Sequence, residues 1–174
     1  MIKPETPVII GEYTEETRPV FESKAKQENA PITFAQDDKE ILAATPNSGQ
    51  GIDYETKDFG RLHGELGGYY QERNANTVLC ACSQLISMGI IKDQDCIKNG
   101  FANVTETTGL RGRWERIQTN PTVICDTGHN VAGWQYLSEQ IKKQPCKQLR
   151  MVFGMVDDKD IDSVCELLPK NAIY

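Results

Sequence analysis

The clearest periodic pattern of apolar residues in this sequence begins at Asn74. Apolar side chains recur there at intervals of three and four residues, which is the spacing of one face of an amphipathic helix. Gly89 follows and is typical of a helix end. The pattern therefore predicts a helix whose apolar stripe packs against a core, formed by Ala75, Val78, Leu79, Cys82, Leu85 and Ile86.

The N-terminal part of the chain alternates short apolar runs with a charged segment. Pro7-Val-Ile-Ile and Ile32-Thr-Phe each predict a short strand, because both are apolar and rich in β-branched residues. Between them, residues 15–29 predict a charged helix with Val20, Phe21 and Ala25 as its apolar face. The order strand, helix, strand favours a parallel sheet in an α/β layer.

The next segments carry weaker patterns. Residues 37–51 are polar and rich in turn formers, so they predict a loop. Glycines recur in residues 51–70, where short antiparallel strands or a hairpin fit best. Asp93 or Asp95 begins a shorter predicted helix that ends near Gly100. Residues 104–108 are polar and threonine-rich, and they are the predicted interdomain linker.

The second half has a sharper order of patterns. Val123-Ile-Cys predicts a short buried strand, and the turn Asp126-Thr-Gly-His-Asn leads into a helix over residues 130–143. Asn130 is the predicted cap of that helix. Further along, residues 149–153 predict a strand, and a last strand begins at Ala172. Between these two, Asp160 caps a predicted helix that runs to about Leu168.

This alternation predicts an α/β fold in two parts. Residues 1–106 form the predicted first domain and residues 107–174 the second, and we expect the second to be incomplete because the pattern stops as a strand begins. Asp157, Asp158 and Asp160 predict a turn with a helix cap rather than a metal site, because the spacing of an EF-hand is absent.

Composition narrows the functional classes. The net charge of −6 and the pI near 5.0 argue against a nucleic-acid surface. No run of about 18 apolar residues exists, which excludes a membrane span, and the N-terminus lacks the pattern of a signal peptide. We therefore expect a cytoplasmic location. The six cysteines lack the spacing of a zinc site, so they predict buried free thiols.

Candidate chemistry lies at the end of the predicted strand 123–125. Ligands of open α/β sheets bind at the carboxyl ends of strands, just before a helix begins, and Asp126 stands there. A carboxylate can accept hydrogen bonds from a ribose, and a nearby guanidinium such as that of Arg113 can bind phosphate with two parallel hydrogen bonds.

Four motifs resemble those of one family. R-G-R-W-E (111–115), D-T-G-H-N (126–130), F-G-M-V-D-D-K-D-I (153–161) and G-Y-Y-Q-E-R-N (68–74) occur in the order seen in the folylpolyglutamate synthase and dihydrofolate synthase family. That family belongs to the Mur-type ATP-dependent amino-acid ligases. Ile2-Lys3-Pro4 also resembles the segment that follows an A-G-I motif of the family, so the resemblance covers essentially the whole chain.

The resemblance implies an activity and a set of roles. It implies an ATPase domain joined to a Rossmann-like C-terminal domain, and a reaction in which ATP activates a folate or dihydropteroate carboxylate as an acyl phosphate that glutamate then attacks. It further implies that Asn74 contacts adenine, Arg113 the phosphates and Asp126 the ribose. His129 would face the reacting end and help hold glutamate or phosphate.

The sequence also departs from the family pattern. It contains no G-x-x-x-x-G-K-[ST] phosphate loop. The resemblance places that loop, the magnesium ligands and a modified lysine upstream of Met1, so no metal ligand is assigned within this chain. We therefore expect a fragment whose first domain is also incomplete and which cannot turn over alone, with its oligomeric state undetermined.

Alternative interpretations stay open. Asn74 can be a helix N-cap, Asp126 can bond turn amides, and His129 can be a structural histidine. At the level of function, the alternatives are a Mur-type ligase of a cell-wall precursor, or a non-catalytic α/β module that binds a nucleotide or a protein.

Overall fold

The structure is a computed structural model that describes residues 2–174, and these divide into two compact units. The first unit contains the chain up to Glu65 together with Gln71–Leu110. The second contains Leu66–Tyr70 and Arg111–Tyr174. Both are mixed α/β with small sheets, which confirms the predicted fold class. The predicted domain boundary between residues 106 and 107 of this chain stays a prediction.

The first unit begins with the predicted strand, helix and strand. These are β1 (Val8–Ile10), α1 (Arg18–Gln27) and β2 (Ile32–Phe34). The two strands pair in parallel, as predicted, with Val8 opposite Ile32. Helix α1 is shorter than predicted, with a proline in its first turn. Ala25 is buried, but Val20 is 64% exposed, so its place in an apolar face was wrong.

A three-stranded antiparallel sheet follows. Its order is β3 (Ile41–Pro46), β4 (Ile52–Thr56) and β5 (Arg61–Gly64). The hairpin predicted within residues 51–70 is confirmed. The loop predicted over residues 37–51 is wrong, because its apolar start pairs with β4 and buries Ile41. The turn formers of that stretch only make the hairpin turn, where the Asn47 N–H donates to the Gly51 carbonyl at 3.0 Å.

Three helices complete this unit. They are α2 (Gln71–Ser87), α3 (Asp95–Ala102) and α4 (Val104–Thr108). The predicted helix from Asn74 is therefore confirmed, although it begins three residues earlier. Leu79 of α2 is fully buried, while Val78 is 47% exposed. Residues 104–108, the predicted interdomain linker, form α4 within the first unit, and Gly109 ends this helix with a left-handed φ of 73°. Their role as a linker stays a prediction.

The core of the first unit lies between the antiparallel sheet and helix α2. It contains eight buried side chains from β3, β4, β5, α2, α3 and the turn before β5, namely Ile41, Ile52, Tyr54, Phe59, Leu62, Ala75, Leu79 and Ile97. Asn76 of α2 ties this layer to β2 and β3. Its Oδ1 accepts from the Glu40 and Ile41 N–H groups, and its Nδ2 donates to the Ala35 carbonyl at 2.6 Å.

One buried carboxylate of this unit has a hydrogen bond within residues 2–174 at only one of its two oxygens. Glu40 is 2% exposed, its Oε1 accepts from the Ser83 hydroxyl at 3.2 Å, and its Oε2 has no partner among the described residues. Burial, with the nearby charge of Asp58, raises the pKa of the Glu40 carboxyl. The fold thus favours the protonated form of Glu40.

We predict that replacing Glu40 with glutamine changes the pH dependence of stability. Because the folded pKa is raised, the contribution of Glu40 to stability is present at acidic pH and is lost as the pH rises through that pKa. The stability of E40Q relative to the wild type should therefore increase from pH 4 to pH 7. Urea unfolding at each pH measures this. Glu16→Gln, at an exposed site, is the control, and a difference that is constant with pH would contradict the prediction.

The second unit contains a hairpin and two helices in its contiguous part. These are β6 (Glu115–Gln118), β7 (Val123–Cys125), α5 (Val131–Lys142) and α6 (Ile161–Leu167). Strand β7 is where it was predicted, but Val123 and Cys125 are exposed, so its predicted burial was wrong. Among the described residues, β7 pairs with β6 alone in a two-stranded sheet.

The two strands predicted near the end of this unit meet in a single isolated β-bridge. The strand predicted over residues 149–153 was wrong, because within residues 2–174 this segment forms only an isolated parallel bridge, between Arg150 and Ile173. Met151 N–H donates to the Ile173 carbonyl at 2.8 Å, and Ile173 N–H donates to the Leu149 carbonyl at 3.0 Å. Side chains after the bridge still pack inward, since Phe153 meets Trp134 edge to face at 5.3 Å.

Both predicted helix caps of the second unit are confirmed. Asn130 Oδ1 accepts from the Gly133 N–H at 2.7 Å at the start of α5. Asp160 Oδ1 accepts from the Ser163 N–H at 3.1 Å at the start of α6. The helices bury Trp134, Leu137 and Val164 as the core of this unit.

All six cysteines are free thiols. Only Cys80 is buried and Cys82 is half-buried, whereas the prediction of burial was wrong for Cys96, Cys125, Cys146 and Cys165. None of the helices within residues 2–174 has the length and apolar composition that crossing a membrane requires.

Candidate functional site

The β6–β7 hairpin brings together two segments that the sequence marked as chemically interesting. Its register pairs Glu115 with Cys125. The residues just outside that pair are Trp114 and Asp126, and beyond them Arg113 and Thr127. A hairpin therefore places the cationic turn before β6 beside the acidic turn after β7.

The Asp126 carboxylate accepts three hydrogen bonds from three separate places in the chain. Its Oδ2 accepts from the Tyr70 hydroxyl at 3.0 Å and from the Trp114 N–H at 2.7 Å. Its Oδ1 accepts from the Gly128 N–H at 2.7 Å. The last bond confirms the alternative in which Asp126 bonds turn amides. It leaves room for a ligand, because a carboxylate has about four acceptor positions.

Arg113 lies against the same turn. Its Nη1 donates to the Thr127 hydroxyl and to the Gly112 carbonyl at 3.3 Å. The Thr127 N–H donates to that carbonyl as well, at 2.9 Å. Gly112 has a φ of 70°, and a Cβ there would lie 2.6 Å from Thr127 Cγ2, so this close approach requires glycine.

The charges of this cluster are unequally paired. Arg111 Nη2 lies 2.5 Å from Glu115 Oε1, and the Gly112 N–H donates to Glu115 Oε2 at 2.9 Å. The Gly112 hydrogen bond first, and Arg111 second, lower the pKa of Glu115. Glu115 therefore stays ionised and balances Arg111. Arg113 has no ion pair with any residue of 2–174, so its positive charge is available to an anion.

His129 lies exposed on the acidic turn. Its Nδ1 is 3.0 Å from the Thr127 carbonyl oxygen. Since a carbonyl only accepts, Nδ1 carries the proton in this arrangement and Nε2 is left for another group. Arg113, Asp126 and His129 are thus brought together in the second unit.

Asn74 belongs to the first unit. It is exposed on α2, and its Nδ2 donates to the Gln71 side-chain oxygen at 3.1 Å. The alternative that Asn74 is a helix N-cap is wrong, because α2 already begins at Gln71.

Sequence reasoning missed three contributors to this cluster. Tyr70 stands in the G-Y-Y-Q-E-R-N motif, so the motif was a signal for it, but the prediction assigned a role only to Asn74. Thr127 and the backbone N–H of Trp114 carried no signal of their own. Trp114 has a φ of 51°, a left-handed conformation that a pattern of residue types does not reveal.

Two further features lie outside the cluster. A cavity of about 900 Å³ in the first unit opens at the carboxyl ends of β1 and β2, and Gly11, Tyr13, Ala35 and Asn76 line it; none of the predicted site residues does. Within residues 2–174 no group of three or more His, Cys, Asp or Glu side chains is placed to hold a metal ion. Asp158 pairs with Lys159 at 3.1 Å.

Comparison with known families finds a match, and it lies in the second unit. Residues 112–173 match the family described as Mur ligase, glutamate ligase domain. That range contains Arg113, Asp126 and His129.

Curated relatives extend the similarity to most of the chain. Dihydrofolate synthase/folylpolyglutamate synthase of Mycobacterium tuberculosis is 26% identical over 173 residues, which are 95% of this chain and 34% of that protein. The Escherichia coli protein of the same name is 30% identical over 140 residues, which are 75% of this chain and 32% of that protein. The chain spans about a third of the length of these relatives.

Solved structures have the same fold. The Mycobacterium tuberculosis folylpolyglutamate synthase complexed with ADP and AMPPCP superposes with a TM-score of 0.76 at 25% identity, covering 94% of this chain and 37% of that one. A structure described as an FPGS-AMPPCP-folate complex gives a TM-score of 0.76 at 24% identity, covering 95% of this chain and 40% of that one.

Proposed function

We propose that this chain carries nucleotide-binding residues of an ATP-dependent ligase that adds glutamate to a folate, because it is similar to the dihydrofolate synthase/folylpolyglutamate synthase family of Mur-type ligases. Two structural neighbours are complexes with ADP, AMPPCP or folate, which supports this class of substrate. The chain spans about a third of the length of its curated relatives, so the ligase activity itself is proposed along with the binding roles.

The observation that carries the proposal is the side-by-side placement of Arg113 and Asp126 by the β6–β7 hairpin. A guanidinium that has no ion pair among the described residues can bind phosphate, and an oriented carboxylate can accept a hydrogen bond from a ribose hydroxyl. In this proposal Arg113 binds the phosphates and Asp126 the ribose.

The remaining roles follow the same chemistry. The exposed amide of Asn74 can both donate to and accept from an adenine edge. His129, through Nε2, faces the reacting end and holds glutamate or phosphate. The proposal assigns no metal ligand among the described residues.

The proposed reaction has two steps. The γ-phosphoryl group of ATP passes to the terminal carboxylate of the folate or dihydropteroate, which releases ADP. The amine of glutamate then attacks that acyl phosphate, an amide bond forms, and phosphate leaves. Positioning and charge stabilisation provide most of the catalysis in phosphoryl transfer, and Arg113 is suited to the charge on the phosphates.

We predict that replacing Arg113 with alanine weakens ATP binding about tenfold or more. The variant loses a charge-assisted contact to phosphate, and each factor of ten corresponds to about 1.4 kcal/mol. Isothermal titration of the chain with ATP measures the effect. Arg150→Ala is the matched control, because Arg150 is exposed and its described bridge uses the backbone alone.

Three results would contradict the proposal. One is that the wild-type chain binds neither ATP nor ADP. Another is that R113A and the wild type bind ATP equally. The third is that the chain binds ATP and a cell-wall precursor but not a pteroyl-glutamate, which would favour the cell-wall alternative.

A further inference from the structure

Tyr70 is joined to the predicted ribose site although it lies 56 residues away in sequence from Asp126. Its hydroxyl is 3.0 Å from Asp126 Oδ2, and a phenol facing a carboxylate donates its proton. The five residues Leu66–Tyr70 group with the second unit, while the chain on both sides of them belongs to the first. The segment Leu66–Tyr70 thus places the Tyr70 hydroxyl at the Asp126 carboxylate.

The rest of the Leu66–Tyr70 segment is held in place by contacts within the second unit. The Tyr69 N–H donates to Gln140 Oε1 at 2.9 Å, and Gln140 is buried. The Lys143 ammonium lies 4.9 Å from the centre of the Tyr69 ring. A Cβ on Gly67 would lie 2.9 Å from the Trp114 carbonyl oxygen, so the two backbones touch. The position of Tyr70 is therefore set independently of Asp126.

The second donor to Oδ2 is held by an unusual backbone. Trp114 has a φ of 51°, a left-handed conformation that a bulky residue rarely adopts. That conformation points the Trp114 N–H at Oδ2 at 2.7 Å. Strain of this kind persists only where the surrounding structure enforces it, and it is concentrated at binding sites.

Together these donors use three of the acceptor positions of the Asp126 carboxylate. A carboxylate has about four acceptor positions, two on each oxygen. Tyr70 and Trp114 use both positions of Oδ2, and Gly128 uses one of Oδ1. Among the described residues, one acceptor position of Oδ1 has no donor.

We propose that Tyr70 is a positioning residue which, with the Trp114 N–H, locks Oδ2 so that Asp126 presents one acceptor, on Oδ1, to a single ribose hydroxyl. This inference rests on the proposed function. It deepens that function by defining what the site recognises, a nucleoside of which one hydroxyl is read by Asp126 and the other is not.

The test compares three nucleotides on variants that differ by one hydroxyl. ATP, 2′-deoxy-ATP and 3′-deoxy-ATP are titrated into the wild-type chain, Y70F and Y69F. The wild type should lose about threefold to tenfold in affinity for only one of the two deoxynucleotides, the range expected of one hydrogen bond. Y70F should bind ATP more weakly by a similar factor and lose the distinction between the deoxynucleotides.

The matched control is Y69F. It keeps the ring beside Lys143 and the backbone bond to Gln140, so it should behave as the wild type. A general loss of structure in Y70F would weaken all three nucleotides equally and would appear in circular dichroism. The deoxynucleotide comparison on the wild type tests the single acceptor without any variant.

Each adverse outcome has its own meaning. One such outcome is that the wild type distinguishes the two deoxynucleotides, that Asp126→Asn abolishes this distinction and that Y70F retains it. In that case the role of Tyr70 is overturned, while the proposed function stands. Equal losses for both deoxynucleotides overturn the single acceptor. If the wild type binds none of the nucleotides, the proposed function fails, and this inference fails with it.

Discussion

Replacing Asp126 with alanine is expected to weaken nucleotide binding about tenfold and to lower the free energy of unfolding by about 2–4 kcal/mol. The substitution leaves the Trp114 N–H, the Gly128 N–H and the Tyr70 hydroxyl without their acceptor. Each unpaired buried donor costs about 1–3 kcal/mol. The total is smaller than the sum, because Asp126 is only half-buried and water reaches part of the cluster.

Urea unfolding and ATP titration of the same variant measure the two effects. Asp126→Asn retains an acceptor at one oxygen, so it should lose less stability than D126A while still binding ATP more weakly. Asp158→Ala is the control, because Asp158 is exposed and its pair with Lys159 lies on the surface. A D126A variant as stable as the wild type would show that the three donors have other partners.

Replacing Leu79 with alanine is expected to give a comparable loss of stability, about 3–5 kcal/mol, for a different reason. Leu79 is fully buried in the core between α2 and the antiparallel sheet. Truncation removes apolar contacts and leaves a cavity that the surrounding side chains only partly fill. The midpoint of urea unfolding, followed by far-ultraviolet circular dichroism, measures the loss.

The neighbouring residue provides the control for this prediction. Val78 is 47% exposed, so Val78→Ala should change the free energy of unfolding by well under half as much. Equal effects of the two substitutions would mean that α2 does not bury the face seen in the structure. A loss confined to L79A would support the placement of the core on the Leu79 side of the helix.

The helices and their caps were the most predictable part of this protein. The apolar spacing from Ala75 to Ile86 depends on residues three and four apart, and it produced a helix where it was expected. Asn130 and Asp160 cap their helices through bonds to residues three positions away. Such interactions are local, so they are visible in a short window of sequence.

Strand pairing was predicted less well, because it depends on distant residues. The apolar start of β3 was hidden among turn formers, and only β4 makes it a strand. Residues 149–153 have the composition of a strand, yet among the described residues they form a single bridge, between Arg150 and Ile173. Composition indicates that a segment can form a strand, but a neighbouring strand decides whether it does.

In the candidate site, too, the sequence predicted local features, and the contacts between distant segments became visible only in the structure. The sequence by itself determined which residue types stand around β7, with Arg113 before the hairpin and Asp126 and His129 after it, and motif resemblance linked them to nucleotide chemistry. Only the tertiary structure decided that the register of β6 and β7 sets Arg113 beside the Asp126 turn, that Tyr70 donates to Asp126 across 56 residues, and that the Trp114 backbone is left-handed. The physical reason is that side-chain type is written at each position, whereas a hydrogen bond between distant segments exists only after the chain has folded.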